Sequence, residues 1–287
     1  MKFSSFFLIA SLAFVSPIHA FSVLSNSQSP KAPLEIKAQN GMVCSQDKKR
    51  CTALGPVTST RGTSVLKSSK LIVYFKSSDA TQKENTGASP QQDIKRIKAL
   101  GNVHFFDTQG GVQATGNYAL YNAEKGQLSL QGHPVLRDAK TTVLGGTEVI
   151  FYEKTQRAKT IGRSTVKRDD KLMQADVFHV HFTKDAAGKL TFDRVEAQGN
   201  VVISTPTEIA KAKRGVYANN TQVAELFDDV VITRAEGQLR GDYGRYDMAS
   251  GQSQLFNEKG VHDPTKQVQA ILSPQALKRT KEKKKTK

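Results

Sequence analysis

His179 and His181 stand two apart in the run Val177-Phe178-His179-Val180-His181-Phe182, a spacing that puts both imidazoles on one face of a strand, where two can share a metal ion. Asp176 and Asp185 are near, but no third ligand stands close in sequence, so the pair reads as a polar strand face and no metal site is assigned. The adjacent carboxylates Asp169-Asp170 and Asp228-Asp229, placed in strands, would point to opposite faces and could not cooperate as acid and base. The chain has no Gly-x-Ser-x-Gly elbow, no Gly-Lys-Ser or Gly-Lys-Thr phosphate loop and no His-Glu-x-x-His. The expectation is a protein that is not an enzyme and needs no cofactor.

The remaining reactive side chains are Cys44 and Cys51. If Asp47-Lys48 is a two-residue hairpin loop, Gln46 faces Lys49 and Cys44 faces Cys51. That pair is expected to be a hydrogen-bonded one, with Cα atoms about 5.5 Å apart, which a disulfide accepts. An oxidising compartment favours the bond, and free thiols are the alternative. The spacing fits neither a redox motif nor a zinc site.

These residues are carried by a repeat. Ala53-Leu54-Gly55-Pro56-Val57, Ala99-Leu100-Gly101-Asn102-Val103 and Ala197-Gln198-Gly199-Asn200-Val201 are versions of one phrase, each followed by a polar stretch and an aromatic-bearing apolar run. Ala99 and Ala197 are 98 residues apart, as are Ala114 and Ala212, and the offset drifts to 95 at Gly146 and Gly241. A recurring supersecondary unit stacked on its own copies implies a long β-structure with a continuous interior. Within the units, apolar residues alternate with polar ones, as in Leu34 to Ala38, Leu71 to Phe75 and Ile97 to Phe105, so period two dominates. Helical spacing is confined to a short turn expected around Ser273 to Leu277. The fold class is therefore all-β.

Residues 1–20 combine Lys2, the apolar run Phe6 to Val15 and Ala20 at a cleavage position, which reads as a cleaved signal peptide and an exported chain. Residues 21–33 are expected to be a flexible leader, 34–168 and 169–260 successive repeat blocks in one continuing sheet, and 261–287 a basic disordered tail. Ser77 to Asp93 reads as a polar surface loop inserted outside the repeat rhythm. Net charge is +16, of which Lys278 to Lys287 contributes +6, so the excess is spread over the strands as well as the tail. An anionic partner follows, namely phosphorylated lipid, membrane surface or acidic polymer, and export disfavours nucleic acid.

The opening Pro33-Leu34-Glu35-Ile36-Lys37-Ala38, the repeated Ala-x-Gly-Asn-Val phrase and the aromatic strand ends, behind a signal peptide, resemble the OstA-like family of periplasmic lipopolysaccharide-transport proteins. Gly199 to Glu208, Ile232-Thr233-Arg234 and Gly241-Asp242-Tyr243 resemble its longer, alphaproteobacterial-type members. The resemblance implies a twisted, open β-jellyroll of consecutive antiparallel strands whose interior shelters lipid A acyl chains. It also implies inner-membrane and outer-membrane transport components as partners, and head-to-tail self-association through strand edges, with Leu34–Ala38 and Gln252–Phe256 as the candidate edges.

By alternation the inward positions are Leu34, Ile36, Leu71, Val73, Val103, Phe105, Leu128, Leu130, Val149 and Phe151. They are the candidate lipid contacts, with a dry packed core as the competing reading. The expected function is a periplasmic bridge carrying lipopolysaccharide from an inner-membrane export complex to an outer-membrane translocon. The alternative is a structural or adhesive β-solenoid that binds an anionic polysaccharide.

Overall fold

The computed structural model describes residues 33–76, 94–108, 113–137, 141–184, 190–247, 250, 252–257 and 267–272. The expected signal peptide, the leader up to residue 32, the loop at 77–93 and the end of the tail lie outside the described residues. The strands run β1 Glu35–Ala38, β2 Met42–Ser45, β3 Arg50–Arg61, β4 Ser64–Phe75, β5 Ile94–Asp107, β6 Gln113–Asn122, β7 Gln127–Gln131, β8 Val135–Arg137, β9 Thr141–Leu144 and β10 Glu148–Tyr152. They continue as β11 Arg157–Ile161, β12 Ser164–Arg168, β13 Lys171–Ala175, β14 Val177–Lys184, β15 Leu190–Ser204, β16 Glu208–Ala218, β17 Val223–Arg234, β18 Gly237–Asp247, β19 Gln252–Phe256 and β20 Gln269–Leu272. Neighbours pair antiparallel, so the all-β fold of consecutive antiparallel strands built from repeats holds.

Two compact units divide the chain. Among the described residues the first comprises 33–137 together with Leu144–Lys159, and the second 141–143 and 160–272. Past residue 144 the division falls between Lys159 and Thr160, and β9, apart from Leu144, groups with its partner β12 in the second unit.

The repeated phrase is a β-bulge. In β3 the register slips between Leu54 and Val57, in β5 between Leu100 and Val103, and in β15 between Gln198 and Val201, each time with one extra residue against the partner strand. In β5 and β15 both bulge residues take left-handed backbone, with φ of 72° and 48° at Gly101 and Asn102 and 74° and 48° at Gly199 and Asn200, while in β3 Gly55 alone does, at 85°. A fourth bulge, in β17 between Phe227 and Val230, has no glycine and uses Asp228 and Asp229, at φ 65° and 56°. The expectation that this pair sits in regular strand on opposite faces is therefore corrected. Asp228 accepts from Arg214 Nε at 2.8 Å and Asp229 pairs with Lys213 at 2.5 Å, while Asp169-Asp170 forms the turn between β12 and β13.

Opposite each line of bulges the neighbouring strand is broken. β3 is edged by β2 along residues 50–53 and by β1 along residues 57–60, and β18 by β19 along 243–247 and β20 along 237–240. β15 likewise pairs with β14 before its bulge and β13 after it, and Asp176 fills the gap, its N–H donating to Gly199 O at 2.9 Å. Each unit is thus creased into two leaves that turn one face inward. In the second unit Phe178, Val195, Ala197 and Tyr217 from one leaf join Met173, Val201, Ile203 and Val230 from the other in one core.

Two local findings differ from the sequence reading. Residues 269–272, expected inside the disordered tail, form β20, because their N–H and C=O groups complete the edge of Gly237–Arg240. Cys44 and Cys51 face each other as expected and are joined by a disulfide, but their Cα atoms are 4.1 Å apart, nearer the ~4.5 Å of a non-hydrogen-bonded pair than the ~5.5 Å expected.

At the far end of the second unit's leaf, Glu208 lies directly across from Arg234, with Arg234 Nε 3.0 Å from its carboxylate and its side chain only 7% exposed. Burial raises its pKa, against the opposing pull of the Arg234 hydrogen bond and charge. The folded protein then holds this proton more tightly than the unfolded chain, so the site adds stability as pH falls through its raised pKa and loses it as pH rises again. Melting temperature measured from pH 7 down to pH 4 should fall less steeply for the native chain than for Glu208→Gln, which cannot take up that proton.

The bulge supplies a second prediction. A Cβ on Gly199 would meet the Asp176 carboxylate, and the residue also sits at φ 74°. Gly199→Ala should cost about 1–3 kcal/mol in chemical denaturation, whereas Asn200→Gly, at a φ that glycine adopts freely, should cost far less.

Candidate functional site

Cross-strand register extends each inward residue into a row across a leaf. In the first unit one row reads Cys51–Val73–Ile97–Tyr121–Leu128–Phe151 and the next Ala53–Leu71–Ala99–Ala119–Leu130–Val149. Across the crease the row is Ile36–Ser59–Leu66–Phe105–Ala114–Leu136, with Val103 beside it opposite Gly116. The structure therefore gathers the expected inward residues onto two facing leaves, and Leu71, Val73, Val103, Phe105, Leu128, Leu130, Val149 and Phe151 are all buried. Ile36 is half-buried at the outer end of its row, and Leu34 is half-buried just ahead of β1.

Alternation does not describe β7 and β10 completely. Ser129 and Ile150, on the opposite face from Leu128 and Val149, are buried too. There Glu148 accepts from Gln131 Nε2 at 2.9 Å and from the Ser129 hydroxyl, a polar lattice that compensates the burial of those groups.

The second unit carries the feature that the sequence reading passed over. Its leaves leave between them an apolar cavity of ≈ 30 Å³, bounded by Val195, Ala197, Tyr217 and Leu226 on one side and Met173, Val201 and Ile203 across the crease. Gly215 lies at its wall, where a Cβ would stand 3.2 Å from Leu226 and 3.6 Å from Val201. Small residues at Ala197 and Gly215 open this space, and the 98-residue offset from the first-unit row with Ala99 was the available signal. Such a volume holds about one water, against ~300–1,000 Å³ for ligand pockets.

Tyr217 and Glu225 are the residues with polar side chains along the cavity's boundary. Burial raises the Tyr217 phenol above its usual range, so that side chain stays uncharged at physiological pH. Tyr246 is raised by burial and then by the Glu208 and Asp247 charges. Tyr243 is raised far more, first by burial and then by its hydrogen bond to Glu225.

His179 and His181 lie on one strand face as expected, with His181 Nε2 3.4 Å from Glu196, which also holds Arg194 at 2.8 Å. Among the described residues no three metal-ligating side chains converge. Of the two expected docking edges, β1 and β19 each pair on one side among the described residues, with β3 and β18 respectively. β2 and β20 share those edges, and exposed large apolar side chains gather there: Met42, Val43, Phe256, Ile271 and Leu272.

No curated protein matches the chain. Among solved structures the chain is similar to that of LptH, the LptA homologous periplasmic component of the conserved lipopolysaccharide transport device from Pseudomonas aeruginosa, at 12% identity over 58% of this chain and 97% of that chain, with a TM-score of 0.26. Residues 35–157 and 151–252 match the family described as LptA/(LptD N-terminal domain) LPS transport protein. Those matches take in both creased units and all three copies of the bulge phrase. The chain belongs to the LptA and LptD N-terminal domain family of lipopolysaccharide-transport proteins.

Proposed function

We propose that the chain is a periplasmic carrier of the long LptA type, exported by a cleaved signal peptide, that moves lipopolysaccharide from an inner-membrane export complex to an outer-membrane translocon without chemical change. The observation that carries the reading is the apolar cavity on the crease between two leaves, within a family of lipopolysaccharide-transport proteins. Acyl chains gain about 0.8 kcal/mol for each CH₂ withdrawn from water, so a lipid of several chains needs an apolar sleeve along its path. Leaves that part at the crease provide one, with Val103, Phe105 and their row partners lining the first unit and Val195, Val201, Ile203 and Leu226 the second.

Exposed apolar residues on β2, β19 and β20 support head-to-tail association, in which one copy's edge completes another's. The alternative, a β-solenoid gripping an anionic polysaccharide, draws on the basic residues of the first unit's outer face.

A photoreactive residue at Leu226 or Phe105 should crosslink lipopolysaccharide, while one at the outward Lys211 should not. Gly215→Val, which fills the cavity from its wall, should weaken lipopolysaccharide binding about tenfold, equivalent to 1.4 kcal/mol, and leave the circular dichroism spectrum unchanged. Equal labelling at Lys211 and Leu226 in a folded protein would transfer the assignment to the polysaccharide scaffold.

A further inference from the structure

Among the described residues, the outward face of β3 to β6 in the first unit carries positive charge without a carboxylate in its rows. Arg50, Tyr74 and Arg96 stand directly across from one another on β3, β4 and β5. Two residues along, Ile72 faces Lys98, and two further, Lys70 faces Leu100, which faces Tyr118. Because Ile97 and Ala99 point inward, Arg96, Lys98 and the residues registered with them all point outward. Over β3 to β6 these three rows hold Arg50, Lys70, Arg96 and Lys98 and no carboxylate.

None of the four cations has an ion-pair partner among the described residues. The charges are organised around aromatic rings. Lys98 Nζ lies 5.7 Å from the centre of the Tyr74 ring, and burial raises the Tyr118 phenol against the opposing pull of the Arg96 charge.

The second unit serves as an internal comparison. At the 98-residue offset Arg96 corresponds to Arg194 and Lys98 to Glu196, and there the two are paired at 2.8 Å. On that same outer face Arg214 is held by Asp228 at 2.8 Å and Arg245 by Asp247 at 3.8 Å. One leaf of the repeat is thus neutralised and its counterpart is bare, so the cation excess is a property of this face and not of the basic composition at large.

We infer that the outer face of β3 to β6 in the first unit is a binding surface for a phosphorylated saccharide. Guanidinium forks on either side of Tyr74 suit phosphate oxygens. Tyr74 and Tyr118 offer flat, amphipathic ring faces to a sugar, and Ile72 and Leu100 lie between them. With strands about 4.8 Å apart and like-facing residues about 6.7 Å apart along each, the cations span roughly 10 by 14 Å, the footprint of a short phosphorylated glycan. This surface is separate from the inward rows, and it rests on the carrier reading only in the choice of probe, since the lipid's sugar headgroup is the phosphorylated saccharide such a carrier would meet.

The test is calorimetric titration of the full chain with chemically deacylated lipopolysaccharide, which keeps sugars and phosphates and has no acyl chains for an apolar interior. The native chain should bind it with an affinity that falls as salt rises. Arg96→Gln with Lys98→Glu, which copies the second unit's residue at one position, should lose at least about tenfold, Arg96→Lys with Lys98→Arg should keep most of the binding, and Lys211→Gln in the second unit should keep all of it. Circular dichroism establishes that each variant is folded. Equal affinity of the charge-altered variant and the native chain would overturn the inference, as would equal binding of a dephosphorylated probe or binding confined to a uronic-acid polymer or to phosphatidylglycerol vesicles. Because the probe has no chains, failure here leaves the acyl-chain reading standing, and loss of crosslinking at Leu226 leaves this one standing.

Discussion

A long strand that must accommodate one extra residue midway cannot run straight through its sheet. It bends, its partner bends with it, and the strand beyond is interrupted. In β3, β5, β15 and β17 the extra residue comes at corresponding positions, so the interruptions align into a crease. The proposed function depends on this alignment. It turns alternating residues on both sides of the bulge toward a shared interior, which explains how Ala197 and Val201, four apart across a bulge, reach the same core. It also splits the terminal partner strands into β1 with β2 and β19 with β20, leaving short edges rich in exposed apolar side chains.

Much of this was legible because the bulge is chemically demanding. Two successive residues in left-handed backbone call for Gly-Asn or a close equivalent, so the bend leaves a repeated phrase, and period-two alternation then assigns the inner face. Where a different solution serves, the signal vanishes: Asp228-Asp229 achieves the same bend with carboxylates neutralised by Arg214 and Lys213, and nothing in the dipeptide announces it. β20 was hidden for another reason. Its four residues precede a run of lysines, and only the open edge of β18 makes them a strand. In β7 and β10, alternation pointed to one buried face while tertiary context buried both.

Around the second unit's cavity the two leaves pack into one core, and that has energetic meaning. Packed leaves have already buried their own apolar faces, so under the proposed carrier function an arriving acyl chain would gain only what it hides beyond the contacts it displaces. Exchange of near-equal contacts would suit the proposed carrier, which must release its load as readily as it takes it. The ≈ 30 Å³ gap beside Gly215 marks where the second unit's leaves are least committed to one another.

The central claim is that the leaves of one unit separate to admit lipid. Spin labels at Lys167 on β12 and Gln254 on β19, outward positions on opposite leaves of the second unit, would report their separation by pulsed electron resonance. The account predicts a distance distribution that moves to longer values when lipopolysaccharide is added and returns when it is removed. A distribution unchanged by lipopolysaccharide that is demonstrably bound would contradict it, because the lipid would then be held somewhere other than between the leaves.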